Sequence, residues 1–116
     1  MEPNPNISYV GKTVDVKIDR TLGSVHPRHG FKYEANYGFI SGTKAPDGEE
    51  LDAYVLGVDV PVEFFRGKVI AVIHRTNDDD DKLIVVPENN PGLTDEEIRL
   101  ATHFQEQWFE SVILRG

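Results

Sequence analysis

The sequence predicts a small, mainly β barrel with one C-terminal helix (α+β), and three observations carry that reading. Five short runs rich in strand-forming residues lie between positions 13 and 86. Turn and loop signals separate them at intervals that suit a small barrel better than a layered α/β sheet. After Asn90-Pro91-Gly92 the pattern changes once, to apolar residues at helical spacing.

Each element has its own warrant. Pro3 and Pro5 mark residues 1–8 as a loose N-terminus. Residues 13–19 alternate, with Val14, Val16 and Ile18 on one face and Asp15 and Lys17 on the other, as in a half-buried strand. Gly23, Pro27 and Gly30 make 21–32 a loop. Asn36–Ile40 reads as a short strand ended by Ser41-Gly42, and Pro46-Asp47-Gly48 is a turn. Residues 51–58 are strand formers, apolar on both faces after Asp52, and Pro61 ends the run. Residues 69–74 and 83–86 are the fourth and fifth strands, and the charged stretch 77–81 between them is an exposed connection.

Thr94-Asp95-Glu96-Glu97 is a capping box, with acids suited to the positive end of a helix dipole. Ile98, Ala101, Phe104, Trp108 and Val112 then recur at three- and four-residue spacing. They predict one amphipathic helix over about 94–112 lying on the barrel, with Trp108 in the core.

Length and composition limit the function. A chain of 116 residues is expected to be a single domain over 1–116. It has no cysteine, which removes disulfides and Cys-based zinc sites. No apolar stretch reaches membrane-spanning length, so a cytoplasmic protein without a membrane partner is expected. The net charge of -8 argues against nucleic acid as a partner. That charge is uneven. Residues 11–35 hold five basic and three acidic side chains, whereas 36–116 hold seven basic and sixteen acidic ones. A basic arm beside an acidic remainder suits an anion held by metal ions, although solubility alone would also explain it.

Two acidic clusters stand out. Asp47-Gly48-Glu49-Glu50-Leu51-Asp52 packs four carboxylates into six residues before a strand, and Asp78-Asp79-Asp80-Asp81-Lys82 lies beside another. Taken singly, the first reads as an Asp-Gly turn and the second as a solvated hairpin tip. Together they read as two halves of one site for a hard cation such as Mg²⁺, which takes oxygen ligands and phosphate oxygens. Asp47 and Asp52 can point into one space, and Asp78 and Asp80 share a side if that segment is extended. Neither cluster has the glycine and glutamate positions of an EF-hand loop. Lys82 can neutralise a phosphate oxygen or guard a strand edge. Arg20, His26, Arg28 and His29 can hold an anion or decorate a loop, and Tyr33 and Tyr37 can be ordinary core or edge residues or donate phenolic protons to phosphate.

Asn36-Tyr37-Gly38-Phe39-Ile40, the 47–52 stretch, and Asp80-Asp81-Lys82 running into Leu83-Ile84-Val85-Val86-Pro87 resemble the soluble, Mg²⁺-dependent inorganic pyrophosphatases of the OB-barrel type, in order and spacing over roughly residues 12–112. The resemblance implies a five-stranded OB-like closed barrel that hydrolyses inorganic diphosphate to two phosphates. It implies metal ligands at Asp47, Asp52 and Asp80, with Asn77 or Asp78 as the remaining one. It makes Lys82 a substrate lysine and Tyr37 and Tyr33 active-site tyrosines. It places Glu49 where the family has an aspartate acting as base on the bridging water.

The sequence also departs from that pattern. Glu49 is one methylene longer than the family's aspartate, and Trp108-Phe109 stands where the family has a Tyr-Lys phosphate pair. The N-terminal part is shorter than in typical members: Arg20 either replaces the family's arginine or merely follows a strand-end acid matching Asp19, and His26, Arg28 and His29 can supply the missing positive charge at the substrate. Two alternatives stay open: hydrolysis of an organic diphosphate, and a non-catalytic cation-binding OB-type module. A homo-oligomer is left open as well.

Overall fold

The computed structural model describes residues 4–42, 50–77 and 80–116. The expectations placed on Asp47, Glu49 and Asp78 lie outside those residues. The element order is β1 (Thr13–Arg20), β2 (Asn36–Ile40), β3 (Leu51–Val55), β4 (Phe64–Arg75), β5 (Asp80–Val86), α1 (Asp95–Glu106) and β6 (Ser111–Leu114).

Five of the strands close on themselves. The order β1-β2-β3-β5-β4 returns to the start through antiparallel pairing of β1 with β4. The pairs are antiparallel except β3 with β5, which run parallel and set Asp52 opposite Lys82. Closure removes the exposed sheet edges that a five-stranded open sheet would carry. The register between β4 and β5 slips between Val69 and Ala71, as at a β-bulge. The N-terminal part of β4 (64–68) pairs with β1, and its C-terminal part (72–75) pairs with β6. One long strand therefore serves the barrel and an added sixth strand.

The core has two layers. Side chains such as Val16, Leu51, Val55, Val72, Leu83 and Val85 form one buried cluster. Tyr54, Ala71, Ile73, Ile84 and Val86 form the other, with Ile98 and Phe104 of α1. Leu83 and Val85 belong to the first cluster and Ile84 and Val86 to the second, as strand alternation requires. With both faces covered, β5 is apolar without a polar side from Leu83 onward.

Three features differ from expectation. The helix stops at Glu106, and residues 111–114 form β6 on the edge of β4. Ser-Val-Ile-Leu is β-branched enough to pair with that edge, and pairing there satisfies backbone groups that a longer helix would leave open on β4. Val112 thus belongs to a strand. Trp108 is not core either, being 59% exposed in the turn after the helix. The chain start is also not loose throughout. Pro5–Tyr9 is a 3-10 helix with Asn4 as its cap. Asn6 is buried and donates to Asp81 at 2.7 Å, and Asn4 donates to the same carboxylate at 2.9 Å. The capping box forms as predicted, with Glu97 N–H on Thr94 Oγ1 at 3.1 Å and Thr94 N–H on Glu97 Oε1 at 2.9 Å.

Strand lengths shift for local reasons. β4 starts at Phe64 rather than 69, because Gly67 masks the pattern in sequence. A Cβ there would crowd the Val86 carbonyl and the Phe65 ring. β3 ends at Val55, just before Gly57 at φ 81°.

Candidate active site

The helix-covered face of the barrel carries the polar residues of interest. Asp52 on β3 and Lys82 on β5 are opposite partners across the parallel pair, two residues before Tyr54 and Ile84 and so on the same face. Lys82 Nζ donates to Asp52 Oδ2 at 2.5 Å and to Asp80 Oδ2 at 2.7 Å. Residues from the two acidic clusters thus meet on one ammonium. The lysine is buried, so its charge acts in a poorly screened environment, and it retains a third N–H to donate.

Tyr37 on β2 lies opposite Tyr54, and its ring is 5.8 Å from Lys82 Nζ. Burial, followed by the charge of Asp52, pushes its phenol well above the ordinary value. The group therefore stays protonated as a donor. Gly38, next in sequence, has no room for a side chain, since a Cβ would overlap the Lys17 carbonyl. Its absence lets β1 close over β2 and brings the β1 end near the site. Asp19 at that end is pushed up by desolvation and lowered by Arg20, with a smaller upward push from Asp52. Asn36 fixes the surrounding loops. It is fully buried, donates to Val60 O at 2.9 Å, and accepts from Leu22 N–H at 2.9 Å and Val62 N–H at 3.2 Å.

A buried network missed in the sequence supports this cluster from below. Arg75 at the end of β4 donates through Nε to Glu106 Oε1 at 2.9 Å and through Nη2 to Glu106 Oε2 at 2.6 Å. Tyr54 donates to Glu106 Oε2 at 2.5 Å, and Gln105 donates to the Tyr54 oxygen at 2.7 Å. Tyr33 completes the chain by donating to Gln105 Oε1 at 2.9 Å. Arg75 Nη1 is also 3.7 Å from Asp80 Oδ2. Burial opposes the Arg75 charge, but the bidentate bond and charge of Glu106 outweigh it and raise its pKa. A signal for Glu106 was present, because it falls eight residues after Ile98 on the apolar stripe of α1. A charge at such a position asks for a buried partner.

Beside the cluster opens a cleft of about 420 Å³. Among the described residues, His26, His29, Phe31, Trp108 and Phe109 line one part of it, and Tyr37, Lys82, Arg75 and Gln105 line the rest. Neither Arg20 nor Arg28 lines it. His26 Nδ1 accepts from the Arg28 and His29 amides, both at 3.1 Å. Desolvation, then the positive charge of His29, Arg20 and Arg28, pushes this imidazole down, and only Nε2 is left for a ligand. Tyr33 is spent on Gln105 and is buried. Among the described residues no three His, Asp or Glu side chains form a metal-holding group. What they supply is two carboxylates, Asp52 and Asp80, converging on one cation, with Asp19 nearby.

A closed five-stranded barrel with acids and a lysine on its outer face defines an OB-like protein with a polar site on the barrel wall. The inorganic pyrophosphatase family model matches residues 7–113, and the chain belongs to that family, which is metal-dependent. The inorganic pyrophosphatase of Pseudomonas aeruginosa is 32% identical over 84 residues, covering 69% of this chain and 48% of that protein. The Streptomyces coelicolor inorganic pyrophosphatase is 31% identical over 100 residues, covering 82% of this chain and 56% of that protein. The chain thus spans about half the length of these curated relatives. The crystal structure of inorganic pyrophosphatase from Ehrlichia chaffeensis superposes with a TM-score of 0.68 at 21% identity, over 88% of this chain and 84% of that one, which establishes the shared fold. No helix among the described residues is long and apolar enough to cross a membrane.

Proposed function

We propose that the protein hydrolyses inorganic diphosphate to two phosphates with a water activated by divalent cations. The observation that carries this reading is the Asp52–Lys82–Asp80 cluster, built from strands far apart in sequence and opening on the cleft. The donors fit a hard cation. They are carboxylate oxygens only, and two of them converge within hydrogen-bond reach of one ammonium. We assign Asp47, Asp52, Asp78 and Asp80 to hold Mg²⁺ or a similar ion. When bound, the metal supplies a water of lowered pKa and positive charge against the phosphate oxygens.

The chain's own residues do the rest. Lys82 keeps its third N–H for an equatorial oxygen of the substrate, while its other two hold Asp52 and Asp80 in place. Tyr37, kept protonated, donates to a phosphate oxygen when substrate competes for its proton with Asp52. Glu49 takes the proton of the attacking water. Arg20 and Arg28 on the basic arm draw the anion in by long-range attraction, His26 offers its Nε2 at the cleft, and Tyr33 holds Gln105 at the cleft wall.

The test is phosphate release from diphosphate with Mg²⁺ and with a chelator. We expect release only with the metal, and a loss of about 100-fold or more in kcat for Asp52→Asn. Wild-type rates in Asp52→Asn would overturn the assignment. Mg²⁺ binding by calorimetry without phosphate release would favour a non-catalytic cation-binding module.

A further inference from the structure

Among the described residues, six of the nine side chains lining the cleft carry rings. A bare diphosphate presents only charged oxygens and has no use for such a wall. Four of these rings, those of His26, His29, Phe31 and Trp108, form one connected surface. Phe31 lies 4.9 Å from His26, 5.5 Å from Trp108 and 5.3 Å from Tyr33, centroid to centroid. The platform stands on a short hairpin-like arm, pinned by His26 N–H on Phe31 O at 2.8 Å and Tyr33 N–H on Ser24 O at 2.8 Å. Trp108 is held in this surface although it is 59% exposed. Large rings exposed together around a concave site mark a place where a flat partner is received. The volume of about 420 Å³ falls in the ~300–1,000 Å³ range of sites for ligands larger than diphosphate. Lys82 and Tyr37 line the same cleft, so the ring surface and the anion-binding end form one site.

We propose that the cleft recognises a phosphoanhydride carrying an aromatic ring, of the nucleoside diphosphate class, with the ring stacked on the Phe31–Trp108 platform and the diphosphate directed to Lys82 and Tyr37. This rests on the reading of the site as one that takes phosphoanhydrides. In the reaction, the oxygen of water bonds to the terminal phosphorus and the anhydride P–O bond breaks. The electron pair leaves with the bridging oxygen on the nucleoside monophosphate, inorganic phosphate departs, and the water proton is released to solvent.

Trp108 is the chain's only tryptophan, so its fluorescence reports the platform directly. Titration of the full chain with a nucleoside diphosphate and Mg²⁺ should quench it saturably. An alkyl diphosphate of equal charge should bind roughly tenfold or more weakly, the stacking contribution of one ring. Phe31→Leu should narrow that preference toward unity in the same titration. Trp108→Leu, followed by calorimetry, should do likewise and should shift the ratio of kcat/KM for nucleoside diphosphate over diphosphate about tenfold. Circular dichroism establishes that each variant is folded. Equal binding of the two ligands, or an unaltered preference in both folded variants, would overturn the proposal. Diphosphate hydrolysis with no nucleotide binding would overturn it and leave the proposed function standing. Ring-dependent nucleotide binding with no phosphate released from diphosphate would do the reverse.

Discussion

Replacing Glu106 by glutamine tests whether the helix is held to the barrel by charge as well as by apolar burial. Glu106 and Arg75 are each 8% exposed at the side chain and share two hydrogen bonds, and Tyr54 adds a third to the same carboxylate. Glutamine keeps the shape and one acceptor. It also turns an NH₂ group toward donors and removes the Glu106 charge from the buried guanidinium. Breaking one side of a buried pair costs about 3–5 kcal/mol. The remaining acceptor, together with Asp80 3.7 Å from Arg75, points to the lower end, about 3 kcal/mol. For a domain of this size that lowers Tm by roughly 10–15 °C. Urea unfolding followed by Trp108 fluorescence measures the loss. The double variant with Arg75→Met should recover part of it, with a coupling of about 1–3 kcal/mol. A loss under about 1 kcal/mol, or additive single effects, would refute the view that this pair is a buried electrostatic clamp.

Further predictions follow from the same geometry. Tyr37 and Tyr54 hold their protons well above the ordinary 10.0, first through burial and then through the charges of Asp52 and Glu106. Above about pH 10 the unfolded chain loses protons that the native state keeps, so stability is full below that pH and falls as pH rises. Thermal melts from about pH 8 to about pH 11 should show the decline, and Tyr54→Phe should make it shallower; an unchanged slope in the variant would count against this cause. Asn36→Ala leaves two amides and a carbonyl without their partner in a fully buried position. It should cost about 2–3 kcal/mol by urea unfolding, and a cost below about 0.5 kcal/mol would show that water replaces the side chain there.

Much of the fold could be read from local pattern. The alternation at Val14, Val16 and Ile18 and the box at Thr94 and Glu97 each state their structure within a few residues. The helix end could not be read that way. Trp108 and Val112 continue the helical spacing, but the open edge of β4 takes residues 111–114 as a strand. Propensity loses there to hydrogen-bond satisfaction between distant segments. The N-terminal turn was illegible for a similar reason, since Asn6 is anchored by Asp81, 75 residues later.

The candidate site divides along the same line. By itself the sequence determined the chemistry on offer: acids at two strand ends, a lysine after the second, tyrosines four apart and no cysteine. Those are properties of residue type and spacing. Tertiary structure alone decided that Asp52 and Asp80 share Lys82, because parallel pairing of β3 and β5 is a long-range event. It likewise decided that Arg75 and Glu106 support the cluster and that Trp108 joins a ring-lined cleft. A buried charge reveals its partner only when the chain has closed around both.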